Sequence, residues 1–414
     1  MPQYLTNRQH TKRRWLIAAT IAMLASGGAI LYRYHQAQPH PLRGQPDWPC
    51  PPDNAVGSYP MSLLPSFPRH NDPEPLRVLH IGDSHLQAGM LSQRLRSMLS
   101  ELMDEEVQSE GYVFPYNIVG TNSPAAYTFE TNALWRTKKV TTAGPIEAGL
   151  AGICMETNTP GATIGPKLTA HADPKSMFDR ITLFSPIDTG SFVPTIADSL
   201  LLAVRHDHHM WTFQLRRPVR QLNITLRQQN PTQTRFVLAG VLLEHSKSRL
   251  VYSSAGLNGA SCATFLRARQ LAAQASALKP QLIIVSLGTN DAYTNAFAAS
   301  TFSTNLDSLV LRLRAAQPHA AVLLTTPGDH FWMQERSNPN LEAVRRAIEH
   351  CAEQHGCLTW DLFGLMGGAG SMAQWFEQGW AAPDLVHLTP QGYRRQAEMM
   401  YCALYLLITS NTPQ

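Results

Sequence analysis

Ser84, Asn290, Asp384 and His387 are the side chains whose types and settings point to chemistry. A serine hydroxyl attacks poorly at its free pKa. It needs an imidazole to take its proton, a group to orient that imidazole, and donors for the oxyanion that forms. Gly82-Asp83-Ser84 offers the hydroxyl, directly after the apolar run LRVLHI. In open α/β sheets, ligands bind beyond the carboxyl ends of strands. A helix N-terminus in that place lends its backbone N–H to an anion. Asp384-Leu385-Val386-His387 offers the base and its orienter. The three-residue spacing lets the carboxylate reach Nδ1–H, which fixes the tautomer and leaves Nε2 for a serine. Gly288-Thr289-Asn290-Asp291, after QLIIVSL, offers a side-chain amide on a tight turn. Ala255-Gly256-Leu257-Asn258-Gly259-Ala260, after RLVYSS, offers glycine N–H groups. Taken singly, each run also reads as an ordinary turn or helix cap.

Those runs need elements to position them. Leu76 to Ile81 reads as a buried strand, and the apolar stripe from Met90 to Leu102 as a helix after it. The same alternation returns late in the chain. Strands are expected at Arg249 to Ser254, Gln281 to Leu287, Ala320 to Thr326 and around Leu358 and Trp360. Helices are expected at Ser261 to Leu278, Phe302 to Ala316 and Leu341 to Gln354. A last helix should begin at Pro390, capped by Thr389. Strands alternating with helices indicate an α/β fold with a parallel sheet covered on both faces. Between about 120 and 245 the pattern changes to short alternating runs, such as Met210 to Leu215 and Arg235 to Leu243. That stretch reads as a β-rich insertion of module size; long β-rich loops are the plainer alternative.

The composition excludes several classes. Hydrophobic residues make up 44% of the 414, and charged residues only 15%. A disordered or coiled-coil chain is excluded, and a net charge of +4, partly placed before residue 45, leaves no nucleic-acid footprint. Trp15 to Tyr32 is apolar, uncharged and preceded by Lys12, Arg13 and Arg14. It can just span a bilayer, and the basic cluster keeps the N-terminus inside. Residues 1–35 are therefore expected to form a cytoplasmic tail and a single transmembrane helix in a bacterial inner membrane. The rest then lies in the periplasm. A cleaved signal peptide is the alternative. Residues 36–75 are proline-rich and read as an extended linker. Six cysteines fit an oxidising compartment, and Cys351 and Cys357 are near enough in sequence to bridge. His206, Asp207, His208 and His209 are consecutive, so they read as an exposed loop rather than a metal site.

The four chemical runs, in this order and at these strand ends, resemble the four blocks of the SGNH (GDSL-like) hydrolases. The resemblance covers about Leu76 to Leu407, with residues 76–119 and 246–414 flanking the insertion at 120–245. It implies a three-layer α/β sandwich around a central parallel sheet. It also implies Ser84 as nucleophile, His387 as base and Asp384 as its orienter. Ser84 N–H, Gly259 N–H and the Asn290 side chain become the oxyanion donors, with Gly256 the competing glycine. No cofactor or metal is implied. His85 replaces the leucine of the family's name. With it, Trp360-Asp361-Leu362-Phe363, Met366-Gly367-Gly368, Gly370-Ser371-Met372 and His387-Leu388-Thr389-Pro390-Gln391-Gly392-Tyr393 are similar to bacterial peptidoglycan O-acetylesterases. That subgroup implies a carbohydrate-binding-like insertion and an O-acetylated glycan substrate. An acyltransferase with the same triad, a lipid-directed esterase or thioesterase, and a non-catalytic glycan-binding protein are the rival expectations.

Overall fold

A computed structural model describes residues 54, 56, 57 and 74–410. The expected membrane segment and most of the proline-rich linker lie outside the described residues. Among the described residues, no helix is long and apolar enough to cross a membrane.

The central element is a five-stranded parallel sheet. Its spatial order is Leu250–Gly256, Leu76–Gly82, Leu282–Ser286, Ala321–Thr325, Leu358–Trp360. Leu76–Gly82 is almost wholly buried, as a strand covered on both faces must be. Its register aligns Gly82 with Gly256 on one side and with Ser286 on the other. The carboxyl ends of three strands therefore finish level, and the loops that follow them emerge side by side.

Helices cover both faces. On one, Leu91, Leu95, Met98 and Leu99 of Met90–Leu102 pack with Ala397, Met400 and Leu404 of Pro390–Ser410. On the other, Leu309 and Leu313 of Ala299–Ala316 pack with Val344 and Ile348 of Leu341–His355. The last helix starts at Pro390, where the Thr389 hydroxyl accepts from Gly392 N–H at 3.2 Å.

Antiparallel strands run from Gly111–Val113 to Gly240–Glu244 in sheets of five, four and three. The five-stranded one has the order Gly111–Val113, Gly240–Glu244, Phe178–Phe184, Met210–Val219, Leu201–His206. Its Phe178 and Phe213 belong to the same continuous core as Leu79 and Ile81 of the parallel sheet.

Two expectations are corrected. Ser261 to Leu278 forms two helices, Cys262–Phe265 and Leu271–Leu278. The backbone between them is occupied elsewhere. Ile146 N–H donates to Arg267 O at 3.1 Å and Ile146 O accepts from Arg269 N–H at 3.0 Å. The Arg312 guanidinium takes the carbonyls of Leu266 and Ala268 at 3.0 and 2.6 Å. Cys351 and Cys357 are both free and buried. The Cys351 thiol turns to Asp307, while Cys357 faces Arg314, 3.9 Å away. Cys402 is the disulfide-bonded cysteine among the described residues.

Candidate active site

The site forms where the strand ends finish level. Asp83 ends the first strand as the N-cap of Ser84–Gln87, its carboxylate accepting from His85 N–H at 3.0 Å. That turn puts Ser84 at the first helical position. Its Oγ donates to His387 Nε2 at 2.9 Å. His387 Nδ1 in turn meets Asp384 Oδ2 at 2.7 Å. The other Asp384 oxygen accepts the backbone N–H groups of Val386 and His387, at 3.0 and 2.9 Å. These bonds fix the carboxylate and, through it, the imidazole tautomer.

The electrostatics agree with that arrangement. Burial opposes a charged Asp384. The His387 hydrogen bond and charge and the two amides outweigh it, holding the carboxyl well below its usual range. Burial also opposes a charged His387, but the Asp384 bond and charge, with help from Asp83, push its pKa upward. Asp83 itself is raised to about 6, chiefly by burial.

Asn290 lies on the short helix Thr289–Ala292. Its Nδ2 donates to Ala260 O at 2.9 Å, and its other proton faces Asp83 Oδ2 at 3.4 Å. The second contact is long and weak, so that proton remains available to a stronger acceptor. Asp291 accepts Cys262 N–H at 3.2 Å, tying the Asn290 loop to the glycine turn. Burial raises Asp291 to about 7.

The two candidate glycines differ physically. Gly256 pairs with Gly82 inside the sheet. A Cβ there would lie 2.4 Å from Gln87 N and 2.8 Å from Asp83 O. Gly259 has φ +74° and nothing within 4 Å of where a Cβ would sit. Neither Ser84 N–H nor Gly259 N–H has a hydrogen-bond partner among the described residues. The structure thus brings together Ser84, His387 and Asp384. It sets Asn290 beside Asp83 and Ala260, and it leaves the Gly259 side of its turn open.

Sequence reasoning missed Gln87 in the support of the site. Gln87 Oε1 accepts Asn258 N–H at 2.6 Å, and its amide donates to Thr121 Oγ1 and Asn122 O at 3.0 and 2.7 Å. It clamps the glycine turn to the serine helix. The available signal was its position three residues after Ser84 on that same helix. His85 stacks on His387 with ring centroids 5.1 Å apart, and its Nδ1 meets the Tyr393 hydroxyl at 3.1 Å. Burial holds His85 well below the usual histidine range, and the nearby His387 and His330 add to that. A neutral ring therefore backs the His387 imidazole. Beneath them, His80 bridges Tyr252 and Ser286 at 2.6 and 2.7 Å inside the sheet. His206 to His209 are exposed around a hairpin turn, which Asp207 closes by accepting the N–H groups of His209 and Met210 at 2.7 and 3.0 Å.

Residues 228–395 match the GDSL-like Lipase/Acylhydrolase family. That stretch contains Gly259, Asn290, Asp384 and His387; Ser84 lies ahead of it and joins them through the fold. A comparison with curated proteins finds no match. Among solved structures, the chain is similar to one described as "Peptidoglycan O-acetylesterase in action, 5 min". The TM-score is 0.68 at 24% identity, covering 82% of this chain and 93% of the other. A lipase/acylhydrolase from Enterococcus faecalis aligns over 38% of this chain and 76% of its own at 18% identity, TM-score 0.31. An acetyl xylan esterase aligns over 38% and 82% at 20% identity, TM-score 0.31. With residues 228–395 similar to the GDSL-like acylhydrolases and an α/β fold around a parallel sheet, the chain is a carboxylic ester hydrolase.

Proposed function

We propose that this protein is a serine esterase that removes O-acetyl groups from a cell-envelope glycan, most naturally peptidoglycan. The observation that carries the mechanism is the continuous contact Ser84 Oγ to His387 Nε2 to Asp384, at 2.9 and 2.7 Å. His387 takes the Ser84 proton as Oγ attacks the acetyl carbonyl. The oxyanion is met by Ser84 N–H, Gly259 N–H and the Asn290 amide. His387 then protonates the sugar oxygen, which leaves. Water, activated by the same imidazole, attacks the acetyl-enzyme and releases acetate. Asp384 stabilises the imidazolium throughout.

The glycan reading is supported by the fold likeness to a peptidoglycan O-acetylesterase and by the His85 variant of the serine block. Residues 120–245 would serve as its carbohydrate-binding module. Residues 15–32 would anchor the chain in the inner membrane with the esterase in the periplasm.

The test is acetate release from O-acetylated peptidoglycan by the full chain in detergent, beside Ser84→Ala. Release by the parent and none by the variant is expected, with the same thermal unfolding for both. Equal release by a folded Ser84→Ala protein overturns the mechanism. Hydrolysis of an aryl acetate without release from peptidoglycan overturns the substrate alone.

A further inference from the structure

Two partly exposed aromatic rings stand beside the triad, and the ester chemistry makes no use of them. Tyr293 directly follows the helix that bears Asn290 and is 39% exposed. Trp332 comes from the short hairpin Phe331–Trp332 and Arg336–Ser337. Their ring centroids are 4.8 Å apart with planes inclined by 35°. Behind Tyr293 lies His330, 5.9 Å away and buried. Its Nδ1 faces Gly328 O at 3.2 Å and its Nε2 meets the Asn338 amide at 3.0 Å. Burial lowers it to about 4, so the ring under Tyr293 is neutral.

The hairpin is tied down from both sides of the site. Phe331 N–H donates to Leu385 O at 2.8 Å, inside the loop that carries Asp384 and His387. The Gln334 amide donates to Pro383 O at 3.3 Å. Met333 N–H donates to the Tyr293 hydroxyl at 3.0 Å. Five described non-glycine residues have positive φ. Three of them, Met333, Gln334 and Leu385, belong to these two bonded loops. Such backbone is costly for L-residues and collects where a ligand is held. The rings are thus fixed between the asparagine helix and the histidine loop before any substrate arrives.

We propose that Tyr293 and Trp332 form a platform for a pyranose ring of the glycan that bears the ester. The proposal rests on the deacetylation reading above and names how that site recognises a polymer. One face of a pyranose presents a patch of C–H groups. These carry slight positive charge and suit the negative face of an aromatic ring. Tyr and Trp supply broad, rigid contact at little cost in side-chain entropy, and preorganised rings lower the ordering cost further. An acetyl group alone is too small to need them. The platform would therefore separate esters on a sugar chain from simple acetates.

The experiment compares the parent full chain with Trp332→Ala and Trp332→Phe. kcat/KM is measured on O-acetylated peptidoglycan and on 4-nitrophenyl acetate. Trp332→Ala should lower the ratio of the two by about tenfold, mostly through KM, and Trp332→Phe should restore most of it. An unchanged ratio overturns the proposal, whether both rates fall together or neither does. A second measurement separates the platform from the substrate reading. Binding of soluble oligomers of the peptidoglycan glycan strand is followed by calorimetry on Ser84→Ala, with and without Trp332→Ala. Binding that the second change weakens supports the platform even if the parent releases no acetate from peptidoglycan. Equal binding by both proteins, or none by either, overturns it.

Discussion

In the proposed mechanism the proton chemistry turns on the His387 imidazole, which must be neutral to accept from Ser84. Its pKa lies above the 6.5 of an unperturbed histidine. kcat/KM should therefore fall as pH drops through a value above 6.5, and a pH–rate profile will read that acid limb. Asp384→Asn removes the bond and charge that raise it. The limb should move to lower pH, and kcat should drop by about 10⁴. The same pair acts on stability with opposite signs. His387 is raised on folding, so its contribution is full below the unfolded histidine value and is lost as pH rises through the folded one. Asp384 is lowered, so its contribution is present above the ordinary carboxylate value and is lost as pH falls through the folded one. Asn290→Ala should cost about 10²–10³ in kcat, the size expected for one oxyanion donor. Its melting temperature should change little, since the amide's short bond is a single contact with Ala260 O. At this scale the sequence marked Ser84, Asn290, Asp384 and His387, because polar residues after apolar runs stand out. It did not mark Gln87, nor show what the Tyr393 hydroxyl meets. Their partners, Asn258 and His85, lie 171 and 308 residues away along the chain.

Among the elements, the turn after Leu250–Gly256 separates two glycines by what each must do. Gly256→Ala forces a methyl into the backbone of Gln87 and Asp83, which cannot step aside. It should destabilise the fold by about 1–3 kcal/mol, as other overpacked sites do. Gly259→Ala meets open space and bears only the strain of its positive φ, about 1–2 kcal/mol. Its activity should fall beyond what that strain explains, because the methyl stands beside the proposed oxyanion donor. Thermal denaturation set against kcat for the two variants checks the contrast. The parallel strands were legible because burial on both faces demands continuous apolar runs. The helix at Ser261 to Leu278 was not, because its alanines favour helix locally while Ile146 and Arg312 claim the intervening backbone. The Cys351 and Cys357 pairing failed for a like reason: nearness in sequence says nothing about which way two buried thiols point.

At the scale of the whole molecule, the β-rich stretch and the parallel sheet share a core and a buried charge. Arg96 on the second helix donates to the Glu110 carbonyl at 2.7 Å and to its carboxylate at 2.6 Å, just before the first antiparallel strand. Burial pushes the Glu110 pKa up, and Arg96 holds it back. Arg96→Met leaves that carboxyl buried alone, which should cost about 3–5 kcal/mol. The loss should grow as pH rises, since Glu110 must then either stay protonated or be buried as a charge. Denaturant unfolding at acid and alkaline pH checks both the size and the trend. Alternating short runs made the β-rich character of this stretch readable. Its sharing of one core with Leu79 and Ile81 was not, because periodicity tells which side chains turn inward but not toward what.

The contact between Ser84 and His387 joins residues 303 positions apart. Ser84 follows the first strand of the parallel sheet, and His387 comes one residue pair before the final helix. Contacts of such sequence separation form late, because a long loop must close before they return any stabilisation. A ribosome emits roughly 5–20 residues per second, so tens of seconds pass between synthesis of Ser84 and synthesis of His387. During that interval the nascent polypeptide holds an unactivated serine. An esterase built this way is thereby inert until the loop bearing Asp384 and His387 has been made and has joined the serine end of the sheet.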